Sequence, residues 1–168
     1  GAAQGGHKNL LDGLLEEFHT EENINYAIIG AAQGGHEDLL YMLPAKYTKD
    51  KIHKAVVGAA LGGHEKLLYE LLKDHPYVNM NDAILGAAQG GHKKLLYGLL
   101  KDHPNVNVNY AIKGAAIGGH DKLVYELLAK DPNADITYAI AAAAKGGHFC
   151  LLENLIKEED PCSSMVDK

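Results

Sequence analysis

The chain has 168 residues, of which 46% are hydrophobic and 23% are charged, a composition typical of a globular protein. Its net charge is −6 and its 16 basic residues are all lysine. Because arginine is the residue best suited to grip phosphate and guanine edges, this composition argues against nucleic-acid binding and phosphoryl transfer. No apolar run approaches the roughly 18 residues of a membrane span, so we expect no membrane insertion.

A heptapeptide, Gly-Ala-Ala-Gln-Gly-Gly-His at residues 1–7, recurs at nearly constant spacing. Copies of it end in six histidines, separated once by 29 residues and then by 28: His7, His36, His64, His92, His120 and His148. A fixed period of this length is typical of a solenoid built from one repeated unit. We therefore predict one continuous array over residues 1–160, with a tail at 161–168. Since the first copy starts inside a unit, we expect a fragment of a longer protein.

The first complete helix is predicted over residues 8–15. Its leucines fall on one face at helical spacing: Leu10, Leu11, Leu14 and Leu15.

The second unit shows how each repeat is built. Asn25 is predicted to cap a short inner helix. Small and branched residues form the narrow buried face of that helix: Ala27, Ile28, Ala31 and Ala32. Gly34 and Gly35 supply a sharp turn, because glycine tolerates positive φ, and His36 opens a Leu-rich outer helix.

Later units repeat this plan. Their outer helices carry the predicted core: Leu67, Leu68, Leu71, Leu72, Leu95, Leu96, Leu99, Leu100, Leu123, Val124, Leu127 and Leu128. Between units, proline at 76 and 104 is predicted to end the outer helix. Asn81 and Asn109 are predicted to cap the inner helices that follow.

Two places depart from the plan. Pro44 predicts an early end to the second outer helix, and residues 45–53 lack the usual connection. Phe149 and Cys150 place an apolar pair where the three preceding units are charged. That pair indicates either cover by further chain or an adapted end repeat.

The units resemble ankyrin repeats, most clearly in residues 87–92, Ala-Ala-Gln-Gly-Gly-His, with the outer-helix leucines and Val106-Asn107 that follow. The resemblance covers almost the whole chain and implies an all-α fold, a right-handed α-solenoid of stacked helix-turn-helix repeats. It also implies that the repeat histidines hydrogen-bond turn backbone between units. The period is 28 rather than about 33, and segments such as residues 82–85 replace the family's Thr-Pro-Leu-His. We expect tight loops in place of the family's β-hairpin fingers.

Ten histidines raise the question of a metal site or an enzyme. Repeat histidines in neighbouring units would lie about 10 Å apart, too far to share a zinc ion that needs bonds of about 2.0–2.1 Å. Cys150 follows His148 by two residues and so lies on another face of a helix. We predict no catalysis, cofactor or metal site in this segment, and a metal-dependent enzyme is the alternative that metal analysis would test.

One stripe of inner-helix positions, opposite the buried face at i, i+3 and i+7, varies while the frame stays constant. We call it the inner-helix stripe, and it consists of Tyr26, Ile29, Gln33, Lys54, Val57, Leu61, Asp82, Leu85, Gln89, Tyr110, Lys113, Ile117, Tyr138 and Lys145. Repeat proteins use variable positions on a concave surface for recognition, with tyrosine and aliphatic anchors. The stripe therefore predicts a partner-binding groove. The alternative is that tight curvature buries it between inner helices.

Two other series share the period. The outer helices carry tyrosines that are predicted to pack on the neighbouring unit with their hydroxyls in water: Tyr41, Tyr69, Tyr97 and Tyr125. Glycines at positions 30, 58, 86 and 114 each cost about 1 kcal/mol of helix propensity relative to alanine. They predict the close approach of a partner or of the adjacent inner helix.

The sequence thus favours a monomeric protein–protein interaction module that binds a partner protein through its concave inner-helix face. The second hypothesis is a structural spacer or scaffold array inside a larger multidomain protein, such as a secreted host-directed effector. Cys150 and Cys162 do not make a disulfide framework, so we expect a cytoplasmic protein, or the host cytosol for an effector.

Overall fold

The computed structural model describes residues 1–17, 20–42, 49–131 and 133–159, and it is helical without a β-strand in these ranges. The helices are α1 Lys8–Glu17, α2 Glu21–Gln33, α3 Glu37–Met42, α4 Lys49–Gly62, α5 Glu65–Asp74, α6 Met80–Gln89, α7 Lys93–Asp102, α8 Asn109–Ile117, α9 Asp121–Lys130, α10 Ile136–Gly146 and α11 Phe149–Glu159. The even-numbered helices from α2 to α10 are the inner helices, and α1, α3, α5, α7, α9 and α11 are the outer ones. The predicted all-α fold is confirmed.

The helices pack sequentially. Each inner helix packs on the next one, from α2 through α10, and on the outer helix of its own unit, while outer helices approach one another less closely. One apolar core runs between the two layers, and none of the described polar or charged residues is buried. Most predicted core residues are buried, but the last leucine of each set, Leu72, Leu100 and Leu128, is only half-buried against the core.

Glycine lets neighbouring inner helices touch. A Cβ at Gly58 would lie 2.6 Å from the carbonyl oxygen of Ile29, and one at Gly86 would lie 3.0 Å from that of Val57. Adjacent inner helices therefore occupy the space that the missing side chain leaves. Of the two explanations for this glycine series, close approach of a partner or of the next helix, the contacts support the second.

Each inner helix ends at a pair of glycines, as predicted, but only the second glycine takes positive φ. That angle is 70–74° throughout, at Gly6, Gly35, Gly63, Gly91, Gly119 and Gly147. The first glycine remains right-handed, for example φ −80° at Gly118. A histidine then precedes each of the outer helices α5, α7 and α9.

The predicted cap of α2 at Asn25 is wrong. α2 begins at Glu21, and the side chain of Thr20 accepts a hydrogen bond from the backbone N–H of Asn23 at 3.2 Å. The helix thus starts about one turn earlier than the Ala-rich pattern indicated, because the polar residues before Ile24 also favour a helical first turn.

The predicted caps at Asn81 and Asn109 are also wrong, since both residues lie inside helices. The capping oxygens come from the asparagine two residues earlier: Asn79 Oδ1 accepts from Asn81 N–H at 3.1 Å, and Asn107 Oδ1 from Asn109 N–H at 2.9 Å. Either asparagine is chemically able to cap, so the backbone decides. Asn79, at φ −71° and ψ 112°, has the extended conformation that an N-cap requires.

Asp135 is the equivalent cap of α10 and makes stability depend on pH. Its Oδ1 accepts from the hydroxyl of Thr137 at 2.6 Å and from the backbone N–H of Thr137 at 2.9 Å. These bonds hold the pKa of Asp135 below its ordinary value. A lowered folded-state pKa gives a contribution that is present above the unfolded pKa and lost as pH falls.

We expect the stability advantage of the unmodified chain over Asp135→Asn to be constant above about pH 5 and to shrink below about pH 4. Asparagine keeps the cap but cannot titrate, so the comparison isolates the carboxylate. Urea unfolding at a series of pH values measures it. An advantage that is constant or grows on acidification would contradict the assignment.

Several predictions concern residues at the irregular places. Leu43 and Pro44, Cys162 and the tail at 161–168 lie outside the described residues. α1 extends two residues past the predicted 8–15, and α4 starts at Lys49, inside the stretch expected to be irregular. Phe149, at 77% exposed, and Cys150 both lie at the surface in the described part of the chain. No helix within the described ranges has the length and apolarity needed to cross a membrane.

Candidate partner-binding surface

A histidine-to-carbonyl hydrogen bond joins each unit to the one before it. The Nε2 atom lies 2.9–3.0 Å from the oxygen of the residue preceding the glycine pair of the previous unit: His36 to Gln4, His64 to Gln33, His92 to Leu61, His120 to Gln89 and His148 to Ile117. Since a carbonyl only accepts, Nε2 carries the proton and donates. The predicted hydrogen bonds between units are confirmed.

These bonds also position the candidate surface. Four of the accepting carbonyls belong to stripe residues, Gln33, Leu61, Gln89 and Ile117. The backbone of each is therefore fixed by the next unit, whatever its side chain. The frame holds this row of variable side chains in register, so their chemistry changes from unit to unit without changing the scaffold.

The inner-helix stripe is accessible along its length. Tyr26 is 65% exposed, Tyr138 is 46% exposed and Lys145 is also exposed, while the other stripe residues are half-buried. On α8, Tyr110 and Lys113 are accessible and the residues between them are buried, as helical periodicity requires. Curvature thus leaves the stripe in contact with solvent.

The chemistry of the stripe changes along the array. Its central row is aliphatic on the first three inner helices, with Ile29, Val57 and Leu85 at equivalent positions, and becomes cationic at Lys113 on α8. Lys145, exposed on α10, adds a second positive charge near the same end. The surface therefore has an aliphatic part and a lysine-bearing part.

Two other charges of the stripe are engaged within the array, which the sequence did not reveal. The Asp82 carboxylate lies 3.2 Å from Nε2 of His53 on the preceding inner helix. Lys54 Nζ donates to Asp50 one turn away at 2.5 Å. The i,i+4 spacing of Asp50 and Lys54 was a usable signal, whereas the His53–Asp82 pair depends on how α4 and α6 pack.

The outer-helix tyrosines bridge units instead of forming a separate site. Tyr69 donates its hydroxyl to Asp102 at 3.2 Å and Tyr97 donates to Glu126 at 3.3 Å, each on the next outer helix. Burial, followed by the Asp102 interaction, raises the pKa of Tyr69. Packing on the neighbouring unit is confirmed for these two residues, but the expectation that their hydroxyls bond only water is wrong.

The described residues contain no cluster of three or more histidine, cysteine, aspartate or glutamate side chains suited to a metal ion. Five repeat histidines instead use Nε2 to bond backbone. The sequence matches no protein-family model and no curated protein. The geometry of the array and its stripe therefore carries the functional argument.

Proposed function

We propose that the chain is a protein–protein interaction module that binds a partner protein through the inner-helix stripe, without cofactor or catalysis. One contrast carries this proposal. The five bonds between units are alike to within 0.1 Å, from 2.9 to 3.0 Å, while the accessible residues beside them differ from unit to unit. Variation confined to one surface of a constant scaffold is how repeat proteins recognise partners.

We further infer that the array is a right-handed solenoid of shortened, ankyrin-like repeats and acts as a monomer. Chain-order packing of α2, α4, α6, α8 and α10 supports stacked units. The absence of strands from the described ranges is consistent with tight loops in place of fingers. The handedness follows from the resemblance to ankyrin repeats.

The stripe favours a partner segment with an aliphatic part and an acidic part. Ile29, Val57 and Leu85 offer a row of apolar contacts, and Lys113 and Lys145 offer positive charge at the other end. Apolar contacts would supply affinity, and the lysines would set the direction in which the segment binds.

Peptides selected on the immobilised array from a random display library test the proposal. We expect them to combine aliphatic and acidic residues and to lose at least tenfold in affinity, about 1.4 kcal/mol, for the double variant Tyr110→Asp, Ile117→Gln. Both new residues occur naturally at the equivalent positions of the preceding unit, as Asp82 and Gln89, so folding should be retained. Thermal unfolding checks this.

The matched control is Lys94→Ala, Lys122→Ala on the outer helices. Both residues are exposed, and each double variant makes the net charge more negative by two. We expect the control to bind like the unmodified chain. Equal losses in the two variants, or none in the stripe variant, would reject the stripe as the binding surface. If no peptide is retained, the spacer hypothesis is favoured.

A further inference from the structure

The N-terminal end of the array exposes leucines that later units bury. Leu10 is 56% exposed and Leu14 is 43% exposed. Their described equivalents are at most 8% exposed: Leu39, Leu67, Leu95, Leu123 and Leu151 for the first, and Leu71, Leu99, Leu127 and Leu155 for the second. Because the leucine pattern is the same in every unit, the difference lies in what covers it.

A groove of about 530 Å³ lies beside these leucines, between α1 and α2. We call it the N-terminal groove, and its lining includes Ala3, Leu11, Leu14, Tyr26, Ala27 and Gly30. No aspartate, glutamate, lysine or histidine side chain lines it. Its volume falls in the range of ligand-binding clefts, and its lining suits an apolar occupant.

Each later complete unit fills the corresponding place with its own inner helix. α6, for example, buries Ala83 and Ile84 and packs on the outer helix α7. Gly86 of α6 in turn approaches Ala60 of the preceding unit, where a Cβ would lie 3.2 Å away. Gly30 repeats that contact with Ala3, again at 3.2 Å. The first interface of the array is therefore built, but only at the end of its helix.

Residues 1–7 already form the last turn of such a helix. Gly5 N–H donates to the Gly1 carbonyl at 3.0 Å, and His7 N–H donates to that of Ala2 at 2.9 Å. The same two bonds close α6, from the N–H groups of residues 90 and 92 to the carbonyls of residues 86 and 87, both at 2.9 Å. A helix entering this turn would occupy the place that residues 80–85 have in their own unit.

We propose that the N-terminal groove binds an α-helix of the array's own inner-helix type, continuous with the turn at residues 1–7. The helix presents a small residue and a branched aliphatic residue, as Ala83 and Ile84 do, toward Leu14 and Ala27. This surface lies at the end of the array and does not depend on the partner-binding function. Only Tyr26 belongs to both surfaces.

The test adds a copy of residues 79–85, Asn-Met-Asn-Asp-Ala-Ile-Leu, directly before Gly1, which reproduces the sequence that precedes Gly86. Repeat arrays open locally at their ends, so the readout is hydrogen exchange of the α1 amides. We expect their protection to rise at least about 30-fold, the lower end of the effect of one buried leucine at tenfold per 1.4 kcal/mol. Leu14→Ala should abolish most of this gain.

The matched control is the same added segment with Ala83→Ser and Ile84→Asn in the copy. It has the same length and charge but lacks the apolar face, and we expect protection within threefold of the original chain. Equal protection by the two segments would overturn the proposal, because it would indicate an effect of length alone. No gain from the native segment, or a gain that survives Leu14→Ala, would overturn it as well.

Discussion

Gly118→Ala is expected to destabilise the array by at least about 3 kcal/mol, the upper end of what overpacking costs. A Cβ at Gly118 would overlap the carbonyl oxygen of Gln89 and lie 2.8 Å from the His120 ring. That carbonyl accepts the 2.9 Å bond from His120 Nε2. Since the clash is with backbone, no rotamer relieves it, and α8 must move away from α6. Urea unfolding measures the loss.

Gly98→Ala makes the same chemical change where there is room. Gly98 lies within α7, and the nearest atom to its added Cβ would be the Tyr69 hydroxyl oxygen at 3.4 Å. Helix propensity then dominates, and we expect stabilisation of about 0.8–1.0 kcal/mol. Similar effects at the two glycines would contradict the steric explanation for Gly118.

His120→Ala is expected to cost about 2–3 kcal/mol. The substitution removes the hydrogen bond to the Gln89 carbonyl, typically about 0.5–1.5 kcal/mol, and leaves that carbonyl without its donor. It also removes a ring that packs on Gly91, where a Cβ would lie 2.6 Å from the His120 Cε1 atom. Losing contacts on both sides of the ring accounts for the remainder.

His7→Ala is the control for the histidine prediction. His7 opens α1 with the same motif but is exposed at the end of the array. We expect its removal to change stability by less than about 0.5 kcal/mol. Urea unfolding of both variants measures the difference, and equal losses would show that the motif acts within its own unit and not across the interface between units.

The frame could be predicted from the sequence because each part of the motif has one physical use. The second glycine supplies positive φ, the first glycine allows a carbonyl to approach, and the histidine reaches that carbonyl from the next unit. A period of 28 residues repeats all three requirements together. The helix caps were missed because Asn79 and Asn81 are chemically equivalent, and only backbone conformation distinguishes them.

The accessible positions of the candidate site followed from helical periodicity, which places Tyr110, Lys113 and Ile117 opposite the buried alanines. Contacts across units could not be predicted in the same way. The His53–Asp82 pair and the bond from Tyr97 to Glu126 depend on distances between helices that the period alone does not set. The N-terminal groove likewise became visible only when Leu14 was compared with its buried equivalents.

Site-specific photo-crosslinking tests the central claim most directly. A photoreactive amino acid replaces Lys113 in the inner-helix stripe or, as a matched position, the exposed Lys94 on the outer helix α7. A peptide selected on the unmodified array is then bound and irradiated. We predict that it crosslinks from position 113 and not from position 94. Crosslinking from position 94 alone, or equally from both, would contradict recognition through the inner helices.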